Sequence, residues 1–310
     1  AHSGGAGMRT VTSVGALREA LSAPRRGGAR IGLVPTMGAF HEGHLSLMRR
    51  ARSECDLVVV SLFVNPTQFD DPRDLDVYPR DQAVDAARAA AEDVDLLFAP
   101  PAGEMYPAGF ATRVTVDGLT ERLEGAGRGS GHFTGVSTIV TKLLNMVAPD
   151  VAYFGEKDAQ QTVVIKRLVR DLDLPVAIEV CPIVRDIDGL ALSSRNAHLS
   201  AADRRRALAL SRALALVTAA VQAGERDPQA ATAPARAAVQ AAGVELEYLE
   251  LVDPETLASV AAVEDNVRAL IAARVGTTRL IDNTLIKAPR RSPHAPSRQP
   301  RPAAAVPGRA

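Results

Sequence analysis

Tryptophan is absent, and the chain carries only four tyrosines, seven phenylalanines and two cysteines among 310 residues. Cys55 and Cys181 can form at most one bridge, so a fold built on disulfides is excluded. Two lone cysteines suit a reducing compartment, where they behave as small buried apolar side chains, and a cytoplasmic location is expected. They also lack the spacing of a metal site. No apolar run approaches the roughly 18–20 residues that span a bilayer, and the longest, 57–64, has the length of a buried strand. No membrane association is expected. Residues 1–8 hold small and polar side chains without the apolar stretch of a signal peptide and are expected to be a flexible extension. Net charge is missing too: 36 basic residues balance 36 acidic ones, which argues against a general nucleic-acid binder. Neither a phosphate-binding Gly-x-x-x-x-Gly-Lys-Ser/Thr loop nor a Gly-x-Ser-x-Gly hydrolase elbow occurs.

What is present is ample apolar content, 46 %, enough for a full core in one large domain or two ordinary ones. Segments 31–35, 57–64, 95–98, 112–116, 151–154 and 176–180 have strand character. Segments 45–55, 81–92, 133–146 and 158–170 have helical character. This alternation predicts an α/β fold, a doubly wound parallel sheet with helices on both faces and ligands at the carboxyl ends of its strands. Beyond Arg185 the pattern changes to helices over 201–223 and 228–242, then strands over 244–251, 268–274 and 278–282. A catalytic domain over 9–184 and a smaller C-terminal α+β domain over 185–287 follow. Residues 288–310 contain five arginines, six prolines and no acid, and are expected to be a disordered basic tail.

Four clusters carry chemistry, each at or near a strand end or the domain junction. In Pro35-Thr36-Met37-Gly38-Ala39-Phe40-His41-Glu42-Gly43-His44, the glycines allow a tight turn and close backbone approach to a ligand. His41 and His44 share one face of a first helical turn, where free N–H groups and the helix dipole favour phosphate. A merely structural turn is the plainer alternative; zinc is the other, but helical zinc pairs stand about four residues apart with the catalytic acid between them. In Phe63-Val64-Asn65-Pro66-Thr67-Gln68-Phe69, Asn65 and Gln68 offer uncharged donors and acceptors suited to a hydroxylated carboxylate. A proline-initiated turn capped by Asn65 is the plainer reading. In Gly155-Glu156-Lys157-Asp158-Ala159-Gln160-Gln161, Lys157 is a point cation for phosphate, Asp158 a helix N-cap, and Gln161 lies one turn on. In Asp188-Gly189-Leu190-Ala191-Leu192-Ser193-Ser194-Arg195-Asn196, two hydroxyls beside an arginine form a phosphate clamp. The glycine-rich stretch 125–131 before His132 reads as a phosphate cradle or a floppy connector.

Together with Tyr78-Pro79-Arg80, these strings resemble the pantothenate synthetases, the ATP-dependent pantoate–β-alanine ligases, over roughly residues 11–286. That family belongs to the nucleotidyltransferases with a His-x-Gly-His signature on a Rossmann-like fold. The resemblance implies attack of pantoate on the α-phosphorus of ATP, then displacement of AMP from pantoyl adenylate by β-alanine. It implies that Met37, Gly38, His41, His44, Gly155, Lys157, Asp158, Val184, Leu192, Ser193, Ser194 and Arg195 hold ATP. His44 would be the proton donor to the departing group, with His41, Lys157 and Arg195 also catalytic. Gln68, Gln161 and Asn65 would bind pantoate and β-alanine. Mg²⁺ would accompany ATP rather than sit in a protein cage. The second domain would close as a lid over the labile intermediate, and a homodimer is expected. The chain departs from the family pattern at Arg128-Gly129-Ser130-Gly131-His132-Phe133, which lacks a proline and is one residue longer, and at Phe40, Thr67 and Ala159. A related transferase acting on a phosphorylated acceptor would call for an extra cation near Gln68 and Gln161. A non-catalytic nucleotide-binding regulator would not need the retained His41, His44, Lys157 and Arg195.

Overall fold

The computed structural model describes residues 7–69 and 72–289. The first half contains β1 (Arg9–Val11), α1 (Val14–Arg26), β2 (Ile31–Thr36), α2 (Glu42–Glu54), β3 (Leu57–Leu62), α3 (Pro72–Asp76), α4 (Gln82–Ala91) and β4 (Leu96–Phe98). It continues with α5 (Ala102–Met105), α6 (Glu124–Arg128), α7 (Ser130–Val147), β5 (Val151–Gly155), α8 (Ala159–Asp171) and β6 (Ala177–Cys181). The remainder holds α9 (Ala201–Gln222), α10 (Pro228–Ala241), β7 (Glu245–Val252), β8 (Val267–Val275) and β9 (Thr278–Ile286).

The first six strands form one parallel sheet in the order β1-β4-β3-β2-β5-β6. The Leu57–Leu62 run is β-branched on both faces because both are covered. Val59 packs with Leu33 against Leu17 and Leu21 of α1 and Leu143 of α7. Val58 and Val60 face the other way, with Val34, against Leu47, Met48 and Ala51 of α2. From β2 the chain runs outward through β3 and β4, then returns to place β5 on the opposite flank of β2. Connections therefore leave β2 and β5 in opposite directions, which opens a crevice at their carboxyl ends. The second sheet is antiparallel, β7-β8-β9. Its one face buries Leu249, Leu251 and Ile271 against Leu210, Leu214 and Val217 of α9. From the other, Val252 and Leu270 join Leu119, Leu123, Phe133 and Val164 of the first body.

The predicted α/β architecture with a smaller α+β part is present, with corrections. No strand forms over 112–116. The edge of β4 is already taken by β1, and the 112–116 segment runs instead beside α7, Val114 N–H donating to Thr138 Oγ1 at 3.0 Å. β1 and α1 had no sequence expectation, although Ser13 caps α1 by accepting from Ala16 N–H. The glycine-rich stretch is no loose connector, since α6 and the start of α7 run through it. The expected extension lies outside the described residues over 1–6, and the expected tail over 290–310. Among the described residues no helix is long and apolar enough to cross a membrane.

Candidate active site

The loop from β2 to α2 is held from below. Gly38 takes a φ of 90°, open to glycine, and a Cβ there would meet Leu62 Cδ1 at 2.8 Å and Asp85 Oδ2 at 2.9 Å. Ala39 follows at a φ of 53°. The buried Asp85 carboxylate of α4 accepts from Ala39 N–H at 2.8 Å and Phe40 N–H at 2.7 Å, and Arg88 donates to the Phe40 carbonyl. This clamp delivers His41 to the N-cap of α2 and His44 to its third residue, ring centroids 4.2 Å apart.

The two imidazoles have a defined tautomer. His41 Nδ1 accepts from Gly43 N–H at 3.1 Å, and His44 Nδ1 accepts from His41 N–H at 3.3 Å. A nitrogen that accepts carries no proton, so each neutral ring bears its hydrogen on Nε2. Burial, then the Lys157 charge, lowers His41 to about 4. Burial, then the neighbouring His41, lowers His44 to about 3. At neutral pH both are uncharged N–H donors at a helix N-terminus.

Beyond β5, Gly155 leads into a short turn, Glu156–Asp158, before α8. Lys157 Nζ lies 3.7 Å from Asp158 Oδ1. Asp158 stands at the N-cap position but makes no capping hydrogen bond, contrary to the sequence reading. Burial alone would raise its pKa, yet Lys157 and Arg128 keep it below the ordinary carboxylate value. The adjacent glutamines diverge. Gln160 is buried, accepts from Glu124 N–H and donates to the Leu119 and Arg122 carbonyls. Gln161 is on the cavity wall.

Asn65 does cap the turn at Pro66–Gln68. It is 1 % exposed and its amide is fully engaged. Nδ2 donates to Gln68 Oε1 and Gly135 O, while Oδ1 accepts from Thr67 and Tyr106. Asn65 therefore orients Gln68, whose backbone carbonyl also meets His132 Nδ1 at 2.8 Å. Ser193 Oγ caps the following turn by accepting from Arg195 N–H, and Tyr78 hydrogen-bonds Ser194.

These groups converge on one cavity of about 790 Å³. Its wall includes every residue put forward from the sequence (Met37, His41, His44, Asn65, Gln68, Gly155, Lys157, Asp158, Gln161, Val184, Leu192, Ser193, Ser194, Arg195) except Gly38, which packs against Leu62 and Asp85. The second sheet supplies wall residues that local motifs did not show, Tyr248, Arg274, Arg279 and Asp282. There Glu124 accepts from Arg279, Arg128 and Tyr248. Burial opposes its ionisation, but the Arg279 hydrogen bonds and the Arg128 charge outweigh it and hold Glu124 at about 2.

A parallel sheet whose switch-point crevice is lined by a helix N-terminus, imidazole N–H donors, a lysine and an arginine defines an α/β enzyme for a phosphate-bearing, nucleotide-sized substrate. A family model described as "Pantoate-beta-alanine ligase" matches residues 9–285. The chain belongs to the pantoate–β-alanine ligase family. Pantothenate synthetase of Cereibacter sphaeroides is 54 % identical over 277 residues, 89 % of this chain and 98 % of that protein. Pantothenate synthetase of Acidobacterium capsulatum is 54 % identical over 262 residues, 84 % of this chain and 87 % of that one. Among solved structures, pantothenate synthetase from Thermus thermophilus superposes with a TM-score of 0.85 at 47 % identity, covering 89 % of this chain and 99 % of that one. The Francisella tularensis pantoate-beta-alanine ligase, solved with beta-gamma ATP and beta-alanine, gives 0.76 at 35 %, covering 90 % and 97 %.

Proposed function

We propose that this chain condenses pantoate with β-alanine, driven by cleavage of ATP to AMP and pyrophosphate, through pantoyl adenylate. The observation that carries the reading is the pair of Nε2–H imidazoles at the α2 N-terminus, on the wall of the same cavity as Lys157 and Arg195.

In the first step a pantoate carboxylate oxygen bonds to the α-phosphorus and the bond to the β-phosphate oxygen breaks. Charge moves onto pyrophosphate. His41 and His44 donate hydrogen bonds to it, and Lys157 and Arg195 supply fixed charge. The growing phosphate charge raises the imidazole pKa, so His44 can share its proton with the leaving oxygen. Met37, Gly155, Asp158, Val184, Leu192, Ser193 and Ser194 border the nucleotide. Gln68, with its Oε1 held by Asn65, has its Nε2 hydrogens for pantoate, and Gln161 faces the same cavity. In the second step the amine of β-alanine attacks the acyl carbon, AMP departs and the amine loses a proton.

Mg²⁺ would accompany the triphosphate, whose oxygens are the hard ligands it prefers, and would offset its charge. Of the wall carboxylates, Glu124 and Asp282 are held by arginines at 2.7 Å, whereas Asp158 has only the looser Lys157 contact at 3.7 Å and would be the one to lie beside it. Residues 185–287 act as the lid, in a homodimeric cytoplasmic enzyme.

The test omits each component in turn. AMP release that requires both pantoate and β-alanine, with pantoate-dependent ATP–pyrophosphate exchange when β-alanine is absent, supports the reaction. Folded protein that releases no AMP under any combination refutes it.

A further inference from the structure

The turn that carries Lys157 is built from its own half of the chain on one side only. On the other side it rests on β9. Asn283, 1 % exposed, donates from Nδ2 to the Glu156 carbonyl at 2.9 Å and to the Lys157 carbonyl at 3.1 Å. Its Oδ1 accepts from Arg268 of β8 at 2.5 Å, and the same guanidinium reaches Glu156 Oε1 at 2.9 Å. The next residue back, Asp282, is 4 % exposed and takes both Arg185 guanidinium nitrogens at 2.7 and 2.9 Å, at the root of the segment leading to Ser193-Ser194-Arg195.

Both donor hydrogens of the Asn283 amide and its oxygen are engaged, and in one orientation. The nitrogen faces carbonyls, which only accept, and the oxygen faces a guanidinium, which only donates. A carboxylate of the same shape would set an oxygen against two carbonyls. An apolar side chain would leave those carbonyls without this donor and Arg268 with Glu156 alone, in a buried site where that is costly.

We propose that Asn283 is a positioning residue for adenylate formation: from the second sheet it holds the backbone of the Glu156–Asp158 turn and so sets where Lys157 meets the phosphates. The proposal rests on the ligase reading above. It alters the picture of a free lid, because β9 and the phosphate-binding turn move as one piece. Any closing motion carries Lys157 with it or breaks both Asn283 bonds.

The test compares Asn283→Asp, Asn283→Ala and Arg268→Gln with wild type by pantoate-dependent ATP–pyrophosphate exchange and thermal melting. Arg122→Ala is the control. Arg122 joins the same two bodies through Glu250 and Ser259 without touching the turn. Misplacing a catalytic group by about 1 Å costs on the order of 10²-fold. Both Asn283 variants are therefore expected to lose about 10- to 100-fold in exchange kcat/KM for ATP, with the KM for pantoate within about twofold. Arg268→Gln, which keeps Asn283 but removes the guanidinium that fixes its amide orientation and holds Glu156, is expected to show a smaller but measurable loss, and Arg122→Ala to keep its ATP kinetics. Folded Asn283 variants with ATP kinetics within about twofold of wild type overturn the proposal. So does an equal loss in Arg122→Ala, which would make docking of the two bodies the cause. If the Asn283 variants do not fold, Arg268→Gln decides: unchanged ATP kinetics there overturn the proposal as well. A wild-type chain without exchange would refute the ligase reading instead.

Discussion

Asp85 offers the sharpest test of how the histidine loop is held. Its carboxylate is 3 % exposed and receives two backbone N–H groups, from Ala39 at 2.8 Å and Phe40 at 2.7 Å. Hydrogen bonds to a charged acceptor contribute about 1.5–3 kcal/mol each. They also retain Ala39 at a φ of 53°, a left-handed conformation that costs a non-glycine residue about 1–2 kcal/mol. Asp85→Asn keeps one acceptor oxygen but turns an amide NH₂ toward the other N–H, for an expected loss of about 2–3 kcal/mol. Asp85→Ala leaves both N–H groups buried and unpaired, and about 3–5 kcal/mol is expected. Freed of its clamp, the loop relaxes toward negative φ and His41 moves with it. A displacement of about 1 Å reduces adenylate formation on the order of 10²-fold. Urea unfolding gives the stability change, and ATP–pyrophosphate exchange at a temperature where both variants are folded gives the rate. Asp85→Asn within about 0.5 kcal/mol and about twofold of wild type, the range of an ordinary surface substitution, would refute the reasoning.

Other consequences follow from the same geometry. His44→Ala removes one Nε2–H donor and should reduce exchange by about 10²–10³-fold, and near-full activity would remove His44 from the mechanism. Gly135→Ala would place a Cβ 2.4 Å from the Thr67 carbonyl oxygen, so the Asn65–Gln68 turn must shift; the KM for pantoate should rise more than that for ATP, measured by initial rates. Ligand-free stability should fall as pH is lowered. The unfolded chain protonates histidine near 6.5, while His41 and His132 stay neutral down to about 4 and His44 to about 3, so the unfolded state binds the extra protons in that window. Glu124, ionised down to about 2, adds a loss that begins below 4.5. Saturating MgATP should reduce the part of the drop that belongs to His41 and His44, and melting curves from pH 7 to 4 check both parts. A melting temperature flat over that range would contradict the assignment.

The clusters at the carboxyl ends of β2 and β5 were legible because their signals are local. A β-branched run ending in glycine or proline, followed by helical periodicity, marks a strand's carboxyl end wherever the strand comes to lie. Thus Met37–His44 and Gly155–Gln161 could be placed at the crevice from spacing and turn chemistry alone. The order of strands across the sheet, which brings those two loops side by side at β2 and β5, is a matter of pairing between distant segments. The same holds for the strand expected over 112–116, displaced because Arg9–Val11 occupies that edge of β4. Side chains with identical local prospects are separated only by what meets them. Gln160 finds Leu119, Arg122 and Glu124 and becomes part of the core, while its neighbour Gln161 reaches the cavity. Asn65 is consumed by Gln68, Gly135, Thr67 and Tyr106. From the sequence by itself came the chemistry available at each strand end. The tertiary structure decided which polar groups remain for a ligand, because a buried polar group must first satisfy its nearest neighbours, and those come from anywhere along the chain.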